Sequence, residues 1–97
     1  MQEALNQANL AKDISEVPIG AVVVKDSQII GYGFNQNISM HSVAAHAEIN
    51  AINQASKFIR NYRLIDCDLY VTVEPCHMCA KAIVDARIKN LYFGALE

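Results

Sequence analysis

The chain has 97 residues and a mass of 10.7 kDa, enough for one compact domain and too few for two. Hydrophobic residues make up 53% and charged residues 19%; no segment is low-complexity, and no apolar run approaches the roughly 18 residues that cross a bilayer, so no membrane role is expected. Eight Lys and Arg against ten Asp and Glu leave a formal charge of -2, which excludes bulk attraction to a polyanion and leaves any nucleic-acid contact to local features.

The amino-terminal segment MQEALNQANLAKDIS has two acids, no basic leader and no unbroken apolar core. It is not a secretory signal, and a cytoplasmic location is expected. From Gln2 to about Asp13, Ala4, Leu5, Ala8 and Ala11 recur at helical spacing beside Leu10, which predicts an amphipathic cover helix. The β-branched run from Ile19 to Val24, a polar turn at Asp26, Ser27 and Gln28, and a second apolar stretch predict a β-hairpin whose first strand is buried on both faces. A loop from about Gln36 to Ala45 delivers the chain to His46. Ile49, Ile52, Ala55, Phe58 and Ile59 then predict a helix, with Lys57, Arg60 and Arg63 suiting its carboxyl end or, on another reading, a phosphate. Leu69 to Val73 reads as a strand ended by Glu74-Pro75. Cys79, Ala80, Ile83, Val84 and Ile88 predict a second core-facing helix starting near Pro75, and Leu91 to Ala95 a last strand. The order α-β-β-α-β-α-β points to a single domain over 1–97, a three-layer α/β/α sandwich with a mixed sheet.

Cys76 and Cys79 form a Cys-x-x-Cys pair and Cys67 stands alone. An odd count argues against a disulfide framework and leaves metal ligation or redox chemistry for the pair. His46-Ala47-Glu48 supplies the discriminating context. Zinc accepts imidazole nitrogen and thiolate sulfur, and three protein ligands leave a fourth position to water, whose pKa falls toward about 7. His46, Cys76 and Cys79 supply that count for one zinc per chain. The two cysteines are three apart at a helix start, on one face, where the helix dipole favours the ionised thiols. His46 and Glu48 are two apart and would diverge on a formed helix, so they must lie at its extreme start. Both helix starts would meet in the crevice beyond the carboxyl ends of the strands. Glu48 then stands beside the metal without ligating it, placed to carry a proton from water to a ring nitrogen and on to a leaving amine. Backbone amides at either helix start are candidates for holding the polarised intermediate.

Other readings stand beside this one. A Cys-x-x-Cys pair alone is more often a structural zinc half-site or a redox pair. A structural site closes with four protein ligands, and the further donors are poorly placed: Cys67 reads as a buried inert thiol, His77 points to another helix face, and His41 is a solvated loop side chain. A thioredoxin-like pair leaves His46 and Glu48 unexplained. Asn35, ending the second strand, is a turn residue or a contact to a nucleobase edge, its amide carrying both donor and acceptor. Gly20 permits either close backbone approach or simple packing. Tyr62 could stack on a base, whereas Phe58 is expected in the core.

HAE at His46 to Glu48 with PCHMC at Pro75 to Cys79 resembles the signature of the zinc-dependent cytidine and deoxycytidylate deaminase superfamily. The strings VPIGAVVV, HAEINAI, NYRLIDCDLYVTVEPCHMCAKAIVDARI and NLYFGA are most similar to the bacterial tRNA-specific adenosine deaminases, over most of the chain from Val17 onward. The resemblance implies a cytidine deaminase-like fold, with zinc on His46, Cys76 and Cys79 and Glu48 as proton shuttle. It implies that Asn35, Ala47 and Pro75 lie against a flipped base, with amide donors at Ala47 and Cys76 completing the pocket. The implied reaction is hydrolytic deamination of adenosine to inosine at the tRNA wobble position, by a homodimer that binds the anticodon loop. Free-base deaminases for cytosine or guanine share the zinc motif and are the enzymatic alternative; a non-catalytic zinc-stabilised partner module is the alternative of another class. Members of this family continue past the FGA strand with another strand and terminal helices. The chain is therefore expected to be truncated, with weakened tRNA binding and a sheet edge open to self-association.

Overall fold

The structure, a computed structural model, describes residues 1–95; Leu96 and Glu97, the end of the expected domain, lie outside the described residues. Its elements are α1 (Gln2–Asp13), β1 (Gly20–Lys25), β2 (Gln28–Phe34), α2 (Ala47–Ile59), β3 (Asp68–Val71), α3 (His77–Asp85) and β4 (Asn90–Phe93). The expected element order holds throughout. Asp26 and Ser27 both take positive φ, 51° and 64°, the geometry of a tight hairpin turn whose twist matches the flanking strands.

The sheet order is β2-β1-β3-β4, with β1 antiparallel to both neighbours and β3 parallel to β4. β1 is thus an inner strand, and Gly20 to Val23 are buried on both faces, as its unbroken apolar run predicts. Register assigns the faces. Ala21 opposes Gly33 and Val71, and Val23 opposes Gly31 and Leu69, so these residues share one side; Val22, Tyr32 and Tyr70 share the other. A Cβ on Gly33 would run into the Ala47 carbonyl of α2, whereas one on Gly20 would run into the Ala4 carbonyl of α1. The two helices therefore lie on opposite faces, each with its backbone tight against the sheet, and α3 adds Ile83 and Ala86 to the core on the α2 side. This is the mixed-sheet α/β/α sandwich.

Helix faces depart from expectation in three places. On α1, Ala4, Ala8 and Ala11 are buried, but Leu5, expected in the same stripe, is exposed. Phe58 is 70% exposed, not in the core. The inward stripe of α2 advances by four through Ala47, Ala51 and Ala55, and its next member is Ile59, which packs on the core; Phe58 lies about 100° away from it. On α3 only Cys79 and Ile83 are buried, and Ala80 and Val84, also four apart, face outward. β4 is an outer strand among the described residues; Tyr92 stacks on Tyr70 with centroids 4.7 Å apart, while Leu91 and Phe93 remain part-exposed.

Candidate active site

The chemistry-bearing residues converge because two helix starts face each other past the ends of β2 and β3. His46 is the N-cap of α2 and has extended backbone, φ -76° and ψ 156°. This one unsettled residue resolves the two-residue spacing: His46 turns back while Glu48, inside the first turn, stays buried at 4% exposure. Cys76 is likewise the extended N-cap of α3, and Cys79 sits in its first turn. Neither cap position makes a side-chain capping bond, since both side chains are turned into the site.

His46 Nδ1 lies 3.6 Å from Cys76 Sγ and 3.4 Å from Cys79 Sγ, and the three donor atoms fall within 4.8 Å of one another. A tetrahedral zinc, with Zn–S about 2.3 Å and Zn–N about 2.0 Å, sets nitrogen and sulfur about 3.6 Å apart, so the donor set fits this ion. Burial pushes the Cys79 thiol well above its ordinary range, and the Glu48 charge and the adjoining Cys76 push it further. A cation at the sulfur reverses that balance and yields the thiolate a metal site requires. The amino ends of α2 and α3 add positive dipole from two directions. Glu48 also hydrogen-bonds the Cys79 thiol, which places its carboxyl beside the donor cluster.

A cavity of about 270 Å³ opens on this cluster, lined by Val17, Ile19, Asn35, His46, Glu48, Val73, Glu74 and Cys76. That is slightly below the about 300–1,000 Å³ of drug-sized ligand sites, a size for one heterocycle rather than a whole nucleotide. Asn35 is buried, and its Oδ1 accepts the Ala47 N–H at 2.7 Å. What it can offer a ligand is therefore its Nδ2 donor. Ala47, expected to offer its amide to the pocket, spends that N–H on Asn35 and does not line the cavity, and Pro75 borders a neighbouring open cavity that shares Glu74 and Cys76. The remaining candidates stand apart from the cluster: Cys67 is fully buried in the core, and His41 and His77 are exposed. The apolar walls Val17, Ile19 and Val73, and the acid Glu74, lie in the strings that carry the family resemblance, but nothing in their residue types marks them as cavity walls. Thr72 is a further silent contributor, its Oγ1 accepting the Gly20 N–H at 3.2 Å and so joining β1 to the end of β3 under the cavity.

A model of the MafB19-like deaminases matches residues 1–97. The chain belongs to this deaminase family. Among curated relatives it is 51% identical over 98 residues to the tRNA-specific adenosine deaminase of Haemophilus influenzae, covering 100% of the chain and 57% of that protein. It is 50% identical over 95 residues to the enzyme of the same name from Buchnera aphidicola subsp. Schizaphis graminum, covering 98% of the chain and 63% of the relative. The chain thus spans about three fifths of the length of these relatives. A structure from studies of A-to-I editing by tRNA:A34 deaminases at the wobble position of transfer RNA superposes with a TM-score of 0.98 at 47% identity, over all of this chain and 75% of that one. Guanine deaminase from Bacillus subtilis superposes with a TM-score of 0.95 at 40% identity, over 98% of this chain and 61% of that one. The deaminase fold and three donors able to hold a metal ion are both present in this chain.

Proposed function

We propose that this chain performs hydrolytic deamination of adenosine to inosine at the wobble position of tRNA. The observation that carries the proposal is the meeting of His46, Cys76, Cys79 and the buried Glu48 at a heterocycle-sized cavity. The half-identity to tRNA-specific adenosine deaminases supports tRNA adenosine as the substrate. One zinc per chain, held by His46, Cys76 and Cys79, would supply the Lewis acidity that makes water nucleophilic at neutral pH. Glu48 takes one proton from the water that adds to the amino-bearing carbon and delivers it to the ring nitrogen, then takes the second from the new hydroxyl and delivers it to the amino group, which leaves as ammonia as its C–N bond breaks. Asn35 orients the base through Nδ2, and its own orientation is fixed because Ala47 holds Oδ1. Cys76 and Pro75, at the start of α3, line the side from which the base enters.

Deamination of a free base, guanine or cytosine, is the second reading, favoured by the likeness to guanine deaminase. Three cysteines with no disulfide among them support a cytoplasmic setting. Homodimerisation is supported by the outward apolar residues Met78 and Val84 of α3 and the part-exposed Leu91, Tyr92 and Phe93 of β4. Zinc-loaded protein incubated separately with a tRNA anticodon stem-loop and with free guanine, cytosine and adenine decides between substrates. Inosine in the RNA is the expected product; turnover of a free base with none in the RNA transfers the assignment to the second reading. Equal inertness of wild type and Glu48→Ala on every substrate supports a non-catalytic partner module.

A further inference from the structure

Glu48 apart, Glu16 is the one buried acid among the described residues, and the chemistry above leaves it without a task. It follows α1, where its N–H donates to the Ala11 carbonyl at 2.9 Å. Its carboxylate reaches the loop between β2 and α2: Oε2 accepts the Ser39 N–H at 2.7 Å and Oε1 the Ile38 N–H at 3.2 Å. Burial alone raises the carboxyl, but the amides of Ser39 and Ile38 together outweigh it and hold the group below its ordinary value. The large apolar side chains of the loop, Ile38, Met40 and Val43, are 69%, 53% and 89% exposed, so their packing does not hold it down. The buried carboxylate does.

We propose that Glu16 is a positioning residue that fastens the β2–α2 loop across the site and so fixes the separation of the cavity's two walls. One wall follows Glu16 directly and carries Val17 and Ile19; the other is the loop's own entry and exit, Asn35 and His46. Hydrogen bonds close the ring around the mouth. Asn35 N–H donates to the Ile19 carbonyl at 3.1 Å, Gln36 N–H donates to the Ala45 carbonyl at 2.9 Å across the loop base, and Glu16 spans from the first wall to the loop. The clamp itself stands on these contacts; its consequence for catalysis, a grip on the base rather than on the proton, rests on the proposed deamination.

Amide exchange followed by NMR on the zinc-loaded chain tests the clamp. Glu16→Ala accelerates exchange at Ile38 and Ser39 by about tenfold or more, as loss of two charge-assisted bonds requires, while Ala51 within α2 exchanges as in wild type. Glu16→Gln, which keeps one carbonyl acceptor, falls between them and guards against a variant that merely unfolds. On whichever substrate is turned over, KM rises several-fold with kcat less affected and zinc content unchanged. Unaltered exchange at Ile38 and Ser39, or equal acceleration along the whole chain, overturns the clamp, and a fall in kcat at constant KM overturns the positioning role. Local acceleration in a protein whose wild type deaminates nothing upholds the clamp and sinks the proposed reaction instead.

Discussion

The side-chain oxygen of Asn35 caps the Ala47 N–H at 2.7 Å, across twelve residues of sequence. The amide belongs to the first residue of α2, one of the donors a helix start leaves without an intrahelical partner, and a side chain at the N-cap, His46, reaches the second or third amide rather than this one. A strand end therefore supplies what the local N-cap cannot. Asn35→Ala leaves a buried donor unpaired and lowers unfolding free energy by about 1–3 kcal/mol, read by urea denaturation. Asn35→Asp keeps the acceptor and loses the Nδ2 donor, so stability stays near wild type while substrate binding, measured as KM, deteriorates. Equal loss of stability in the two variants would contradict this division of labour.

Zinc content follows from the donor triangle. Metal analysis of purified protein returns one equivalent per chain, and His46→Ala or Cys76→Ser brings it well below that. Chelation lowers the thermal midpoint, because the ion joins the starts of α2 and α3, which otherwise meet through few contacts, and a ligand held only by the native state stabilises it. Protein that retains a full equivalent without His46 or Cys76 would place the ion elsewhere.

Much of this fold is legible in the residues because local preference and burial agree. The Ile19 to Val24 run, the polar turn after it and the proline before Cys76 each admit one structure, and each appears. The metal donors are legible for a different reason: ligand chemistry restricts residue type and spacing more tightly than packing does. Phe58 and Val84 depart because helical spacing locates a stripe only to within one residue: the inward stripe advances by four through Ala47, Ala51 and Ala55 on α2 and through Cys79 and Ile83 on α3. The cavity walls Val17, Ile19 and Val73 are ordinary apolar residues whose meeting depends on register between strands distant in sequence. Glu16 was silent for the same reason, since its partners are backbone amides 22 and 23 residues away.

Gly33 links packing to the site. Its missing Cβ admits the Ala47 carbonyl and the Ala51 amide of α2, so Gly33→Ala must push the helix that begins beside His46. We expect a loss of about 1–3 kcal/mol or more together with weaker zinc binding, measured by denaturation and by competition with a chromogenic chelator. Gly20→Ala makes the same clash against α1 instead. It costs comparable stability with zinc affinity closer to wild type, and this contrast separates displacement of the metal helix from general destabilisation.

Glu48 touches the Cys79 thiol but is not part of the donor triangle. Glu48→Gln preserves size while removing the carboxyl that takes up and releases a proton, and it leaves the three metal donors in place, so zinc content persists. The rate of inosine formation under single-turnover conditions falls by about 100-fold to 10,000-fold, the usual share of a positioned acid or base. Retention of most activity would assign proton transfer to another group, with Glu74 in the cavity wall next in line.

Cys67 supplies a control thiol within the same molecule. It is fully buried, its Sγ faces the Ile65 carbonyl at 3.6 Å, and burial holds its pKa above the ordinary thiol value. The thiolate is the reactive form, so iodoacetamide near neutral pH leaves Cys67 unlabelled in the folded protein, whether or not zinc has been chelated. Cys76, part-exposed, becomes labelled once the metal is removed, and Cys67 only in denaturant; peptide mass spectrometry distinguishes the sites. The sign of the shift adds a pH prediction. A thiol whose folded pKa is raised favours the native state below the unfolded value and loses that advantage as pH climbs through the folded one. Stability should therefore decline above about pH 9, and the decline should be shallower in Cys67→Ala when both are compared by urea denaturation.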